Sequence, residues 1–301
     1  MIRLPSPPKT RPTKQTASPV LVVERAHAKI NLALHIMGRR HDGYHELDSI
    51  VVFADVADVL TISPADVVSL NVTGPFASAL PREGANSIMS AWTLLDDFSR
   101  QQGAPITPVK FQLEKNLPIA SGIGGGSADA AAALRGLIRY FDLAISSQDL
   151  NELALQLGAD VPVCLLQESS RMTGIGEIIE PLEIDLPEGI VLVNPRIPAP
   201  TSKVFESLNL EPGQSFGVGI GNVHDIQSWR NDLTASAVTL VPGIADVIGS
   251  LILQPDIICS RMSGSGATCF GLFESLEHAQ IAAASIAERH PGWWVVATTL
   301  L

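Results

Sequence analysis

Hydrophobic and polar residues alternate along several segments of the chain, with the period of two that predicts β-strands. In the first such segment, AHAKINLALHI, small and aliphatic residues occupy every second position. The predicted apolar face of this strand holds Ala26, Ala28, Ile30, Leu32, Leu34 and Ile36. The polar residues His27, Lys29 and Asn31 then share the opposite face. Further strands are predicted at 49–62, as one or two strands, and at 109–115, 190–193, 268–273 and 293–300.

A period near 3.6 residues predicts helices between these strands. Helices are predicted at 86–100, 128–141 and 146–158, near residue 201, and over the segments NDLTASAV, IADVIGSLI and HAQIAAASIAERH. The helix at 146–158 carries a capping-box-like pair, Ser146 and Asp149, at its start and Gly158 at its end. The chain therefore mixes strands with helices, and no repeat of fixed period is apparent.

A glycine-rich loop, LPIASGIGGGSADAAAAL, joins the strand at 109–115 to the alanine-rich helix. Its glycines allow positive φ and a close approach of backbone N–H groups to a ligand. Ser127 is the expected N-cap, and the positive end of the helix dipole then favours an anion in the loop. The loop lacks the Gly-Lys-Ser/Thr ending of a Walker loop and the acidic partner of a dinucleotide fold. Two interpretations stay open at this point, a phosphate site and a tight turn that packs the helix onto a sheet.

Three further segments carry candidate chemistry. Asp42-Gly43 predicts a tight turn, and Tyr44 and His45 directly after it can stack on a flat ligand or cap the edge of a core. Asp160, in GADVPV, follows a helix end and is either a turn residue or an acidic group held for chemistry. The segment SRMSGSGATCFGLF contains a second loop of small residues, which is a binding loop or a simple turn.

Charge and composition limit the classes of molecule that the chain can bind. The chain has 301 residues, a net charge of −11 and a pI near 5.0. This acidic balance argues against nucleic acid, and a bound polyphosphate needs backbone amides, a lysine or a divalent cation close to it. No uncharged apolar run approaches the length that spans a membrane. The three widely spaced cysteines predict reduced core residues and a cytoplasmic protein, and no Cys/His spacing indicates structural zinc.

Composition also suggests how the chain is divided. Residues 1–19 are basic and rich in proline, which predicts a disordered tail, with a transit peptide as the alternative. The sequence changes in texture past Arg171, which predicts an N-terminal domain at 20–171 and a C-terminal domain at 172–301. The glycine-rich stretch from Gly213 to Gly221 is predicted to be a mobile loop.

Taken together and in order, AHAKINLALHIMGRRHDGYHEL, LPIASGIGGGSADAAAAL with the later GADVPV, and RMSGSGATCFGLF resemble the three signature motifs of one superfamily. It comprises galactokinase, homoserine kinase, mevalonate kinase and phosphomevalonate kinase (GHMP kinases). Lys-Ile-Asn followed by Asp-Gly-Tyr-His is similar to the members that phosphorylate 4-diphosphocytidyl-2-C-methyl-D-erythritol in the non-mevalonate isoprenoid route. The resemblance covers nearly all of the chain from Glu24 to Phe273.

The resemblance implies a two-domain α+β fold, in which a nucleotide-binding domain with a mixed sheet and helices packs against a smaller α/β sandwich domain. The active site then lies in the cleft. It implies transfer of the ATP γ-phosphoryl group to the 2-hydroxyl of the cytidine diphosphate sugar-alcohol, with no nucleic acid, membrane or obligate protein partner. Magnesium is expected to accompany ATP. Ser127 and Asp129 have side-chain oxygens near the predicted phosphate site, but the metal ligands are not assigned.

Matched residue by residue, the resemblance implies that Lys29 and Asp160 are catalytic. It assigns the ATP phosphates to Pro118, Ile119, Ala120, Ser121, Gly122, Ile123, Gly124, Gly125, Gly126, Ser127 and Ala128. It assigns substrate binding to Asn31, Tyr44, His45 and Phe205. Ala128 departs from the family pattern, which often has serine there. Two alternatives remain, another small-alcohol kinase of the mevalonate or homoserine type, and a non-catalytic sensor protein that kept the fold.

Overall fold

The computed structural model describes residues 21–80 and 86–301, so the predicted tail at 1–19 lies outside the described residues. Two sheets organise the described chain. The first is formed by β1 (Val22–Arg39), β2 (His45–Pro64), β3 (Ser69–Thr73), β4 (Val109–Glu114), β5 (Ser170–Gly174) and β6 (Ile178–Pro181). Its order is β3-β4-β2-β5-β6, with β1 paired to β2, and all pairs are antiparallel except β3 with β4.

The second sheet is formed by β7 (Gly189–Asn194), β8 (Cys259–Met262), β9 (Cys269–Phe273) and β10 (Trp294–Thr299). Its order is β10-β7-β9-β8, and every pair is antiparallel. The helices are α1 (Ser87–Gln101), α2 (Gly125–Phe141), α3 (Ser147–Leu157), α4 (Val161–Leu166), α5 (Thr201–Glu206), α6 (Thr234–Leu240), α7 (Gly243–Ile252) and α8 (Leu276–Arg289). These elements confirm the predicted α+β fold.

Three hydrophobic cores connect the layers. One core packs α1 and α2 against the first sheet, and a second packs α7 and α8 against the second sheet. The third lies between the sheets, where Ile30 and Leu32 of β1 join Ile190 of β7 and Phe270 of β9. Because β1 contributes to all three cores, its polar residues His27, Lys29 and Asn31 are buried in the molecule.

The prediction of a single apolar face along β1 is wrong. The pairing with β2 shifts register between His27 and Ala28 and again between Asn31 and Ala33. The first shift leaves Asp55 and Val56 of β2 without partners in β1, and the second leaves Leu32 of β1 without a partner. Such bulges re-aim the side chains around them. Ala26 therefore belongs to the core under α2, whereas Ala28 belongs to the core between the sheets.

Other predicted elements follow the sequence closely. Residues 49–62 lie in the single long strand β2, and the Asp42-Gly43 turn joins it to β1, with Gly43 at φ 93°. Ser146 caps α3, where its hydroxyl accepts the Asp149 N–H, and Gly158 follows the last residue of that helix. The stretch 213–221 contains no helix or strand among the described residues and runs along β1, where Phe216 N–H donates to Met37 O at 2.8 Å.

The division between two domains at residues 171 and 172 stays a prediction. That point falls inside β5, and the second sheet begins at Gly189. Within the described part of the chain, no helix combines the length and the apolar character needed to cross a membrane.

Candidate active site

A cavity of about 750 Å³ opens where β1, the glycine-rich loop and the loop between β8 and β9 meet. All three candidate motifs of the sequence contribute to its wall. The motif residues that line it are Lys29, Asn31, Leu34, Leu47, Pro118, Ile119, Ala120, Ser121, Gly122, Gly124, Gly125, Gly126, Ser127, Asp129, Ala159, Asp160, Gly264 and Ser265. Residues separated by more than 200 positions in the chain therefore face one space.

The glycine-rich loop ends in a helix that begins earlier than predicted. Gly124, not Ser127, is the N-cap of α2, so the predicted cap is wrong. Gly124 adopts the left-handed conformation, at φ 64° and ψ 19°, which glycine reaches without the steric cost of a side chain. The Ala128 N–H donates to Gly124 O at 2.8 Å. The N–H groups of Gly125, Gly126 and Ser127 are therefore the ones without partners inside the helix, where an anion is stabilised.

Two of the predicted phosphate-loop residues do not line the cavity. Ile123 is fully buried in the core between the sheets, and Ala128 is buried in the core under α2. The Ile123 carbonyl instead accepts the Lys29 N–H at 3.0 Å. This bond ties the loop directly to β1.

Lys29 and Asp160 form an ion pair in the cavity wall, with 2.8 Å between Nζ and Oδ2. The Lys29 side chain is 5% exposed and the Asp160 side chain is 39% exposed. Asp160 stands directly before α4, whose second residue is Pro162, and its carbonyl accepts the Cys164 N–H. The pair therefore presents a fixed cation and a solvent-accessible carboxylate beside the start of α2.

The loop between β8 and β9 is joined to both other motifs through Ser263. Its hydroxyl accepts the Asn31 N–H and donates to Gly122 O, each at 3.0 Å. Gly264 lies at φ 54°, and a Cβ at this position would lie 2.5 Å from Gly122 O. Asn231 holds the loop from the other side by donating to the carbonyls of Met262 and Gly264. The small residues are thus needed for the close contact of two loops.

Asn31 has one polar atom left for a ligand. Its Nδ2 donates to Ser49 Oγ at 2.8 Å, and its Oδ1 is buried with no hydrogen-bond partner among the described residues. Asn31 also lines the cavity.

Two of the three candidate cytidine residues, Phe205 and His45, lie against each other. Phe205 lines the cavity, and the His45 ring lies 5.1 Å from it, tilted by 41°. Burial lowers the pKa of His45, and the charge of Arg39 lowers it further, which favours a neutral ring. Its Nε2 atom is buried and has no partner among the described residues. Tyr44 does not line the cavity, and the residue is 61% exposed.

A buried charged cluster beside the loop was missed by the sequence analysis. The Lys115 Nζ atom lies 2.5 Å from Asp58 Oδ2 and 2.6 Å from Asp129 Oδ2. Lys115 and Asp129 line the cavity. Burial lowers the pKa of Lys115, but the two carboxylates outweigh it and the net shift is upward. Burial also raises the pKa of Asp129 to about 7, against the opposing effect of Lys115.

The local sequence around Asp58 and Lys115 gives little indication that these residues form a buried cluster. Asp58 and Lys115 are charged residues at or beside predicted strands, and their burial depends on the pairing of β2 with β4. Several other residues that line the cavity were not predicted as site residues. They include Leu80, Asn86, Ser87, Met172, Thr201 and Leu233.

Comparison with known proteins identifies the family of the chain. The model of the GHMP kinases N-terminal domain matches residues 86–168, and the model of the GHMP kinases C-terminal domain matches residues 220–292. The 4-diphosphocytidyl-2-C-methyl-D-erythritol kinase of Paramagnetospirillum magneticum is 44% identical over 287 residues, which cover 92% of this chain and 97% of the relative. The enzyme of the same name from Cereibacter sphaeroides is 48% identical over 278 residues, covering 90% and 96%.

Solved structures give the same result. A crystal structure of a 4-(cytidine 5'-diphospho)-2C-methyl-D-erythritol kinase is 31% identical, with a TM-score of 0.76 and coverage of 92% of this chain and 98% of the other. The homoserine kinase of Cytophaga hutchinsonii, at 16% identity and a TM-score of 0.69 over 97% and 98% of the two chains, shares the fold. The chain therefore belongs to the 4-diphosphocytidyl-2-C-methyl-D-erythritol kinase family of the GHMP kinases.

Proposed function

We propose that this chain transfers the γ-phosphoryl group of ATP to the 2-hydroxyl of 4-diphosphocytidyl-2-C-methyl-D-erythritol, a step in non-mevalonate isoprenoid precursor biosynthesis. The observation that carries the proposal is the Lys29–Asp160 pair, 2.8 Å apart, in the same cavity as the free amides at the start of α2. Phosphoryl transfer needs little covalent chemistry from the protein, and these are the groups that position and stabilise it.

The amides of Gly125, Gly126 and Ser127 are proposed to hold the ATP phosphates. They lie at the positive end of the α2 dipole and line the cavity. Because the chain carries a net charge of −11, long-range attraction does not draw the nucleotide in. Binding therefore depends on these local donors and on nearby lysines.

Asp160 is proposed to accept the proton of the acceptor hydroxyl, and Lys29 to stabilise the negative charge that develops on the hydroxyl oxygen. A general base must lie within hydrogen-bond reach of that proton. The Asp160 carboxylate is exposed to the cavity, whereas Lys29 is buried and held by the backbone bond from its N–H to Ile123 O. Its burial and its ion pair with Asp160 preorganise the cation beside the acceptor hydroxyl.

The cytidine part of the substrate is proposed to bind beside Phe205 and His45. The flat face of Phe205 suits stacking, and the buried Nε2 of neutral His45 is left for a hydrogen bond. Asn31 Oδ1 is proposed to accept a hydrogen bond from the sugar-alcohol part. Tyr44 remains a proposed second face for the cytosine, and its exposed position requires its side chain to turn toward the ligand.

Magnesium fits the residues at the start of α2. Asp129 has a buried Oδ1 with no partner among the described residues, and its Oδ2 is already bonded to Lys115. Ser127 contributes a hydroxyl in the first turn of the same helix. One carboxylate, a hydroxyl and the phosphates of the nucleotide form the oxygen set that magnesium prefers. When bound, magnesium neutralises charge on the β- and γ-phosphates.

We place this reaction in the cytoplasm, with a small-molecule substrate and no obligate protein partner. The support for the compartment is the state of the cysteines. Cys164, Cys259 and Cys269 are all free, and burial raises the pKa of the Cys164 thiol to about 12. Unreactive thiols of this kind suit a reducing compartment.

The proposal is tested by magnesium-dependent ADP release from the purified chain. Diphosphocytidyl methylerythritol, mevalonate and homoserine are compared at equal concentrations. We expect turnover with the cytidine compound alone, since Phe205 and His45 provide for a base that the other alcohols lack. Turnover with mevalonate or homoserine would contradict the proposed substrate, and ATP binding without turnover of any of the three would favour a sensor protein.

A further inference from the structure

The Asp58 carboxylate is fully buried and receives three hydrogen bonds at the entrance to the glycine-rich loop. Its Oδ1 accepts the N–H groups of Asn116 and Leu117 at 2.5 and 2.8 Å. Its Oδ2 accepts from Lys115 Nζ at 2.5 Å. One carboxylate on β2 therefore orders three consecutive residues, 115–117, directly before Pro118.

Lys115 extends this connection to the other end of the loop. Its Nζ also donates to Asp129 Oδ2, which lies in the second turn of α2. The Lys115 backbone is fixed as well, because its N–H donates to Thr73 O at 2.8 Å and its carbonyl accepts the Phe76 N–H. Asp58, Lys115 and Asp129 thus connect the residue before the loop with the helix after it.

The cluster faces the nucleotide site. An ammonium group has three N–H donors, and the two carboxylates use two of them. A Cβ at Gly125 would lie 3.4 Å from Lys115 Nζ, which places that ammonium beside the first residue of α2. Lys115 also lines the cavity. Its third donor is therefore available to a bound nucleotide.

We propose that Asp58 is a positioning residue for ATP, which acts through Lys115 to set the spacing of the glycine-rich loop and the direction of the Lys115 ammonium. Asp58 itself does not line the cavity. The inference rests on the proposed function, since it requires that the cavity binds ATP. It goes further by giving a role to a buried group on β2 that touches no substrate.

The affinity for an ATP analogue and the KM values for the two substrates distinguish a positioning role of Asp58 from a purely structural one. Asn at position 58 has one acceptor oxygen for the three donors of residues 115–117, so at least one of these bonds is lost. We expect Asp58→Asn to weaken binding of a non-hydrolysable ATP analogue by about tenfold, with a similar rise in the KM for ATP. The KM for the cytidine substrate should stay within twofold of the unmodified protein.

Asp96 provides the matched control. It is a buried carboxylate that pairs with Arg100 at 2.8 Å on α1 and does not line the cavity. Asp96→Asn should leave both KM values unchanged. Lys115→Arg is a second test variant, because it keeps the positive charge but replaces the compact ammonium with a planar group; it should also weaken analogue binding.

Calorimetric titration of the folded variants with the analogue decides the outcome. Absence of binding by the unmodified chain would overturn the proposed function rather than this inference. Analogue binding by Asp58→Asn within twofold of the unmodified chain would overturn the inference alone. Equal increases in both KM values, or unfolding of Asp58→Asn under conditions where Asp96→Asn stays folded, would also overturn it and leave Asp58 with a structural role.

Discussion

Replacement of Asp160 by asparagine tests the proposed general base with almost no change of shape. The amide has the size of the carboxylate but does not accept the proton of the acceptor hydroxyl. Lys29 would keep a hydrogen-bond acceptor at its present 2.8 Å and lose the opposite charge. The α2 amides that are proposed to hold the phosphates belong to a different segment, so ATP should still bind.

The structure allows the loss of activity to be separated from the loss of stability. A positioned general base contributes about 10²- to 10⁴-fold, which corresponds to about 3–5 kcal/mol of activation free energy. The Asp160 side chain is 39% exposed, so the pair lies between a surface pair and a buried one. Weakening it should lower the free energy of unfolding by about 1–3 kcal/mol, which a typical folded domain tolerates.

Asp55→Asn is the control for this prediction. Asp55 is 41% exposed and pairs with Arg25 at 2.8 Å, so its carboxylate matches that of Asp160 in exposure and in distance to its cation but lies outside the cavity. The rate of ADP release and the calorimetric affinity for an ATP analogue are measured for both variants. We expect kcat to fall at least 100-fold in Asp160→Asn alone, with analogue affinity retained. A kcat within threefold of the unmodified chain, or an equal fall in Asp55→Asn, would refute the assignment of Asp160.

Three further predictions address the loops, the cytidine site and pH. Gly264→Ala should lower the free energy of unfolding by about 3 kcal/mol, because it adds strain at φ 54° and a clash with Gly122 O. Gly126→Ala is the control, since a Cβ at Gly126 would have no atom within 4 Å. Thermal unfolding should show no such loss of stability in this control. Phe205→Ala and Tyr44→Ala should each raise the KM for the cytidine substrate about tenfold by loss of stacking and leave the KM for ATP unchanged; an unchanged cytidine KM in either variant would remove that residue from the site. Burial lowers the pKa of His35, so the folded chain binds fewer protons than the unfolded chain between the lowered pKa and about 6.5. The contribution of His35 to stability is therefore full above that window and lost as the pH falls through it. Urea unfolding at pH 7.5 and 5.5 measures the free energy of unfolding at each pH. The difference between the two values should be smaller in His35→Gln than in the unmodified chain.

The local sequence pattern was sufficient to predict most of the helices and strands and to find the motifs. The polar face that carries Lys29 and Asn31, the turn at Asp42-Gly43 and the cap at Ser146 are set by neighbours within a few residues, and the structure contains each of them. Ser127 was wrongly predicted as an N-cap because the rule favours a hydroxyl. Gly124 instead starts the helix through a left-handed conformation that no side-chain pattern announces.

Long-range pairing explains what the sequence could not predict. The irregularities lie in the pairing of β1 with β2, and the regularly alternating residues of β1 are divided among three cores. The bond of Asp58 to Lys115 joins residues 57 positions apart and depends on β2 lying beside β4. Each residue alone resembles an ordinary charged position on a strand, so its burial becomes visible only once the sheet is formed.

The most direct test of the proposed mechanism is the distance from the substrate 2-hydroxyl oxygen to the Asp160 carboxylate, measured in a structure of the chain with a non-hydrolysable ATP analogue and the cytidine substrate. We expect about 2.6–3.2 Å, with the γ-phosphate beside that hydroxyl and the cytosine against Phe205. A hydroxyl placed beyond the reach of Asp160, with the γ-phosphate directed elsewhere, would contradict the proposed roles of Asp160 and Lys29.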